Sequence, residues 1–220
     1  MPFSKEKVET LRGLLRLVEE SEEKCGAVTY RVVPHLKEMD RAVSAQLAEE
    51  SPWDKSTLVD SVAVLRYLAE TYDRLGRVAV SARFYQRALS CAAALFKDHG
   101  EAVEEGETLF YRGLKARNHY VDDRCEDLQA LALSFLPAAL VEHTHASVMK
   151  NPRGLQHDPV EMTEEYLSVI DEVEKLVEEN RQTHGLGSCH EVWGLTRRFL
   201  AERGIPWRSP AIMNPSVLFD

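Results

Sequence analysis

The sequence predicts an all-α fold of about eight helices in antiparallel hairpins, followed by an extended C-terminal tail. Apolar residues recur at three- and four-residue steps along most of the chain, which is the spacing of one helix face. No stretch alternates apolar and polar residues in the way that a half-buried strand does. Glycine, proline and capping residues separate the periodic stretches by short joints, so neighbouring helices are expected to pack against each other.

The first two predicted helices cover 4–24 and 27–50. An apolar stripe indicates that the first helix packs one face on the core, and Gly26 is expected to end it. Pro34 lies inside the second helix and is expected to kink it. The residues of the apolar stripe are Val8, Leu11, Leu14, Leu15 and Val18.

A helix start signal precedes the third predicted helix. Ser51 is the expected N-cap, with a proline at the first helical position and Asp54 three residues after the cap. The helix is predicted over 53–75. Gly76 then supplies the left-handed residue that a tight turn requires, and a further helix is predicted over 77–97.

The middle of the chain predicts two more helices, over 102–118 and 122–147. Pro137 falls inside the second one and should bend or end it, because proline has no backbone N–H to donate. The segment 149–159 that follows is rich in proline, glycine, asparagine and aspartate. Its composition is typical of a loop.

The C-terminal part predicts a helix over 159–183 and a last helix over 188–203. Asp158 is the expected cap of the first, and Glu161 is expected to complete its capping box. The tail over 204–220 contains three prolines and should run extended, folded back over helices of its own chain or of a second copy. Its large apolar residues, which favour burial, are Ile205, Trp207, Met213, Val217, Leu218 and Phe219.

Composition and charge narrow the classes of function. A chain of 220 residues can bury a sizeable core, and we expect one domain over 1–220. A net charge of −9 would repel a phosphate backbone, so we expect no nucleic-acid partner. No apolar run approaches the roughly 20 residues that span a bilayer, and we expect no membrane partner. The N-terminus lacks the pattern of a secretory signal. The cysteines are widely separated, which predicts free thiols in the cytoplasm: Cys25, Cys91, Cys125 and Cys189.

A hairpin over 62–95 has a recognisable pattern of apolar and small residues around a central glycine. Its positions are Leu65, Leu68, Ala69, Tyr72, Gly76, Ser81, Tyr85, Ala88 and Ala93. The pattern resembles one unit of the tetratricopeptide repeat (TPR), a helix–turn–helix of about 34 residues. No second copy keeps that register, and a looser echo begins at Leu109. The resemblance implies a TPR-like superhelix, and an irregular helical bundle stays open as the alternative.

Most TPR proteins are adaptors, so the resemblance implies a non-catalytic module that binds a protein, a peptide or a second copy of itself. The first helix of each hairpin lines the binding groove of such proteins. That placement implies a partner-binding groove at Ala63, Arg66, Glu70 and Asp73. Members that grip a C-terminal carboxylate use Lys and Asn, and Glu70 stands where Asn would be needed. The chain's tail is also similar to the C-terminal ends of uncharacterised bacterial helical proteins, which implies a bacterial, cytoplasmic protein.

Histidine and cysteine residues in the C-terminal half support an alternative function, a small metal-dependent enzyme or metal-binding helical protein. The candidate ligands are His143, His145, His184, Cys189 and His190. Paired spacings such as C-x2-C are missing from the sequence, and Ser188 can instead cap a helix with Glu191 three residues on. No hydrolase, metalloprotease or nucleotide-binding motif is present, and we expect no cofactor.

Overall fold

The computed structural model describes residues 3–48, 52–120, 125–150, 154–183, 185 and 187–219, and over these residues the protein is all-α, as predicted. An isolated bridge between Tyr120 and His157 is the one strand-like contact there. Two 3-10 turns, Tyr30–Val32 and Pro159–Met162, precede helices α2 and α8. The helices are α1 Lys5–Cys25, α2 Val33–Leu47, α3 Lys55–Arg74, α4 Val78–His99, α5 Gly106–Arg117, α6 Glu126–Leu133, α7 Ala138–Lys150, α8 Glu164–Asn180, α9 Ser188–Ala201 and α10 Pro210–Met213.

The chain folds as two compact units. Unit 1 comprises Met1–Arg117 and Cys125–Asn151, and it contains α1 to α7. Unit 2 comprises Asn118–Arg124 and Pro152–Asp220, and it contains α8 to α10. A single domain over 1–220 stays a prediction.

The two prolines inside predicted helices mark helix boundaries. Pro34 lies in the first turn of α2, where a backbone N–H has no partner within the helix. The prediction that Pro34 kinks this helix is therefore wrong. Pro137 separates α6 from α7, which confirms the predicted break over 122–147.

The N-cap of α3 is Asp54, three residues later than predicted. Its carboxylate accepts hydrogen bonds from the Thr57 N–H and the Thr57 hydroxyl, each at 3.0 Å. Hydrogen bonds from Ser56 and Thr57 hold the pKa of Asp54 well below its ordinary value. Ser51, the N-cap predicted from the sequence, lies outside the described residues.

Helices α3 and α4 form the hairpin that was expected over 62–95. Gly76 joins them with a φ of 73°, in the left-handed region that favours glycine. Fully buried side chains such as Leu65 and Tyr85 fill the space between the helices. Gly113 of α5 meets α4 closely, because a Cβ there would lie 3.4 Å from the Cβ of Tyr85. The core of unit 1 therefore centres on α3, α4 and α5.

The core of unit 2 lies between α8 and α9 and includes the start of the tail. Ile205 and Trp207 are buried with Val173 and Leu200. This confirms that the tail folds back over helices of its own chain. The tail is not extended throughout, because α10 interrupts it, and Leu218 is 94% exposed.

Candidate functional site

The apolar stripe of α1 borders a cleft in unit 1, here called the first cleft. Val18 of the stripe is buried, whereas Val8, Leu11 and Leu15 are only half-buried. The first cleft has a volume of about 420 Å³ and lies between α1 and α3, with α2 contributing one residue. Its lining is mainly apolar: Phe3, Val8, Leu11, Arg12, Leu15, Met39, Asp60, Ala63, Val64, Arg66 and Tyr67.

A second cleft of about 300 Å³ also uses α3 as a wall. Segment 101–105, between α4 and α5, forms another part of its lining. Val59 of α3 borders this cleft and is 44% exposed, which is high for a large apolar side chain. Ala63 and Arg66 line both clefts, so the surface of α3 around them forms a ridge, here called the α3 ridge.

The positive charges at the two clefts already have carboxylate partners. Arg66 forms an ion pair with Glu105, and the Arg12 guanidinium lies 2.7 Å from the Glu9 carboxylate. Lys55 likewise lies 2.7 Å from Glu101 at the second cleft. Each cation of these three pairs therefore has a carboxylate neighbour, whereas the Nε atom of Arg66 is buried without a hydrogen-bond partner among the described residues.

Two carboxylates at the clefts have no ion-pair partner among the described residues. Asp60 borders the first cleft and Glu104 borders the second. Burial raises the pKa of Asp60, and the nearby charge of Asp54 raises it further. Each cleft therefore combines an apolar lining with one uncompensated negative charge.

The predicted groove residues occupy different places on α3. Arg66 lines both clefts, together with Ala63. Glu70 instead pairs with Arg112 of α5 at 2.8 Å, which fills the position with an internal ion pair. Asp73 is exposed near the end of α3 and does not line either cleft. The structure thus brings Arg66, and neither Glu70 nor Asp73, to the cleft surface.

The candidate metal ligands are distributed over both units. α7 of unit 1 carries His143 and His145, whereas α9 of unit 2 carries Cys189 and His190. His184 lies outside the described residues. Among the residues that the structure describes, no group of three or more His, Cys, Asp or Glu side chains is placed to hold a metal ion. The Nε2 atom of His190 lies 3.3 Å from the carbonyl oxygen of Phe219, near the end of the tail.

Unit 2 contains a buried polar cluster that sequence reasoning missed, here called the Glu161 cluster. The Glu161 carboxylate accepts hydrogen bonds from Trp207 Nε1 and His157 Nδ1 at 2.9 Å each, and from the Tyr120 hydroxyl at 3.4 Å. Glu161 is only 8% exposed. Burial and the Glu161 charge raise the pKa of Tyr120, so its hydroxyl stays a donor. The carboxylate therefore has donors from its own unit on both oxygens.

Two further contacts fasten the tail beside the Glu161 cluster. Asp158 accepts hydrogen bonds from the backbone N–H and the guanidinium of Arg208, at 2.7 to 3.1 Å. Burial alone would raise the pKa of Asp158, but these hydrogen bonds hold it below its ordinary value. Asn214 bonds the backbone of Gln156 through both its oxygen and its nitrogen. These contacts anchor the tail, and both carboxylate oxygens of Glu161 already accept hydrogen bonds.

The signal that could have located this cluster was a spacing in sequence. Gln156, Asp158 and Glu161 all lie in the predicted loop and first turn, and each bonds one tail residue. A capping box explains the pattern Asp-x-x-Glu without any tail contact, so the sequence offered a simpler interpretation. None of the helices in the described part of the chain is long and apolar enough to cross a membrane.

Comparison with known proteins gives no relative for this chain, since no family model, curated protein or solved structure matches it.

Proposed function

We propose that unit 1 is a protein-interaction module that binds an apolar helical segment of a partner protein on the α3 ridge. The half-buried apolar stripe of α1 carries this proposal. Val8, Leu11 and Leu15 face the first cleft without the full cover that Val18 has. Completing the burial of such a side chain stabilises a complex by up to roughly 1.5–3 kcal/mol.

The size of the clefts suits side chains of a partner protein. Their volumes of about 420 and 300 Å³ fall at the lower end of the range for ligand sites. A helix that lies on the α3 ridge presents side chains at three- and four-residue steps, which suits one anchor in each cleft. Helix-in-groove recognition of this kind needs no catalytic group and no cofactor.

A TPR-like arrangement of the helices accords with the same proposal. α3 is the first helix of the α3–α4 hairpin, and the first helices line the groove in that family. Ion pairs from Arg66 to Glu105 and from Glu70 to Arg112 join α3 to α5 and the segment before it. These contacts support α3 and α5 as neighbouring first helices, and we propose that the surface of α3 is the inner one.

A fluorescence-anisotropy titration with a defined peptide tests the proposal. The probe is a labelled helical peptide of about 18 residues, ~27 Å long, with one leucine stripe and an uncharged glutamine and serine face. Binding should saturate, and Ala63→Glu should weaken it at least ten-fold, because a carboxylate on the α3 ridge would lose its water. Ala63 is exposed, so the variant should fold.

The matched control is Ala146→Glu, an exposed alanine of α7 in the same unit. This variant should bind the peptide as the parent protein does. Failure of the peptide to bind, or equal loss in both variants, would overturn the proposed function. Sedimentation without peptide tests whether a second copy of the chain binds instead. A stable dimer that Ala63→Glu dissociates would make a second copy the ligand of the α3 ridge.

A further inference from the structure

The charges around the clefts indicate which kind of helix the α3 ridge accepts. At the first cleft Arg12 is paired with Glu9, and at both clefts Arg66 is paired with Glu105. Asp60 and Glu104 have no ion-pair partner among the described residues. When Glu9, Glu105 and Lys55 are counted with their ion-pair partners, each cleft carries one net negative charge. The net charge of −9 on the whole chain has the same sign.

Asp60 is an exposed carboxylate at the edge of the first cleft. The apolar lining beside it removes part of the water from the charged form, which raises its pKa. Asp54 adds repulsion from the preceding turn. A Lys or Arg side chain beside Asp60 would form an exposed ion pair with it and offset the repulsion from Asp54. An acidic ligand would add a third carboxylate to the same place.

Ala63 marks where a ligand helix can approach most closely. It is the smallest side chain of α3 that lines both clefts, and it is exposed. The other shared residue, Arg66, is held by Glu105. A helix that crosses α3 at Ala63 can place one apolar side chain in each cleft, with its flanking residues beside Asp60 and Glu104.

We propose that the ligand of the α3 ridge is a basic amphipathic helix that crosses α3 at Ala63, with an apolar side chain in each cleft and Lys or Arg beside Asp60 and Glu104. This inference rests on the proposed function and adds the charge and the crossing point of the partner. Apolar anchors supply most of the affinity in such complexes, and charge complementarity selects among partners. A partner with the same stripe and acidic flanks is disfavoured.

Three peptides with one leucine stripe test the charge preference. Their flanking positions carry lysine, glutamine or glutamate, and each is titrated into the full chain at low salt. We expect the lysine peptide to bind about ten-fold more tightly than the glutamate peptide, since each exposed charge pair contributes modestly. The difference should shrink as salt is added, because exposed charges are screened.

The double variant Asp60→Asn and Glu104→Gln should remove most of this preference while leaving the glutamine peptide bound as before. The control is Glu20→Gln with Glu142→Gln, which changes the net charge equally at exposed positions outside the clefts and should keep the preference. Equal binding of the lysine and glutamate peptides overturns this inference. So does a preference that both double variants reduce equally, because net charge would then explain it. If the glutamine peptide does not bind the parent protein, the proposed function itself is overturned.

Discussion

Replacing Trp207 by phenylalanine should destabilise unit 2 by about 1.5–3 kcal/mol. The indole Nε1–H donates to Glu161 at 2.9 Å, and both residues are 8% exposed. Phenylalanine keeps most of the apolar contact but removes the donor. A buried carboxylate that loses a hydrogen bond loses a charge-assisted contact that water cannot replace.

The assay is urea denaturation followed by far-UV circular dichroism, with hydrogen exchange of α8 amides as the report specific to unit 2. For a slope of about 2 kcal/mol per M, the expected loss moves the midpoint by roughly 1 M. Trp193→Phe is the matched control, since Trp193 is half-buried and its indole N–H has no partner among the described residues. That variant loses half-buried ring contact with His190 and Phe219 but no hydrogen bond of the described residues, so it should cost less than Trp207→Phe.

A double-mutant cycle with Glu161→Gln separates the contact from general packing. The two changes should be non-additive by about 0.5–3 kcal/mol, because they remove the same charge-assisted hydrogen bond. If Trp207→Phe is as stable as the Trp193→Phe control, or if the cycle is strictly additive, the hydrogen bond from Trp207 to Glu161 adds no stability. Either outcome would mean that Trp207 contributes through burial alone.

Three further perturbations have expected outcomes that follow from the structure. Gly106→Ala should destabilise unit 1 by about 1–3 kcal/mol, because the new Cβ would lie 2.7 Å from the Phe135 ring. Gly13→Ala adds a Cβ in open space and should stabilise α1 by about 0.5–1 kcal/mol. Thermal unfolding of the two variants compares these effects. Asp54→Ala should cost about 0.5–2 kcal/mol as a lost N-cap. The pKa of Asp54 is lower in the folded protein than in the unfolded chain, where it is about 4. The stability that Asp54 adds is therefore fully present above about pH 4 and is lost as the pH falls through the folded pKa. The free energy of unfolding should consequently fall less on acidification in the Ala variant than in the parent protein. Deleting 205–220 should lower the melting temperature, since it removes two buried apolar side chains and three polar anchors, and an unchanged melting curve would contradict the tail's role.

Helix existence could be predicted from the sequence because periodicity and local breakers decide it. Gly76 and Pro137 end helices wherever the rest of the chain lies, and both act as expected. Caps were harder to place, because Ser51 and Asp54 can both accept a backbone N–H and only the fold selects Asp54.

The candidate sites could be predicted only in part, because they depend on contacts between distant residues. The α1 stripe was visible, but its incomplete burial follows from how α1 packs near α3. Glu161 was assigned to a capping box, yet its partners Trp207 and Tyr120 lie 46 and 41 residues away in sequence. Glu70, which was predicted to line a groove, pairs with Arg112, which lies 42 residues away in sequence. Pairings at such separations leave no periodic signal.

Methyl NMR of the full chain during titration with the lysine peptide tests binding at the α3 ridge most directly. If the peptide binds there, the methyl signals of Leu11, Val59, Ala63 and Val103 should shift together and saturate, while those of Val173 in unit 2 stay in place. Shifts confined to unit 2, or scattered without saturation, would contradict the claim that the two clefts beside α3 form one binding surface.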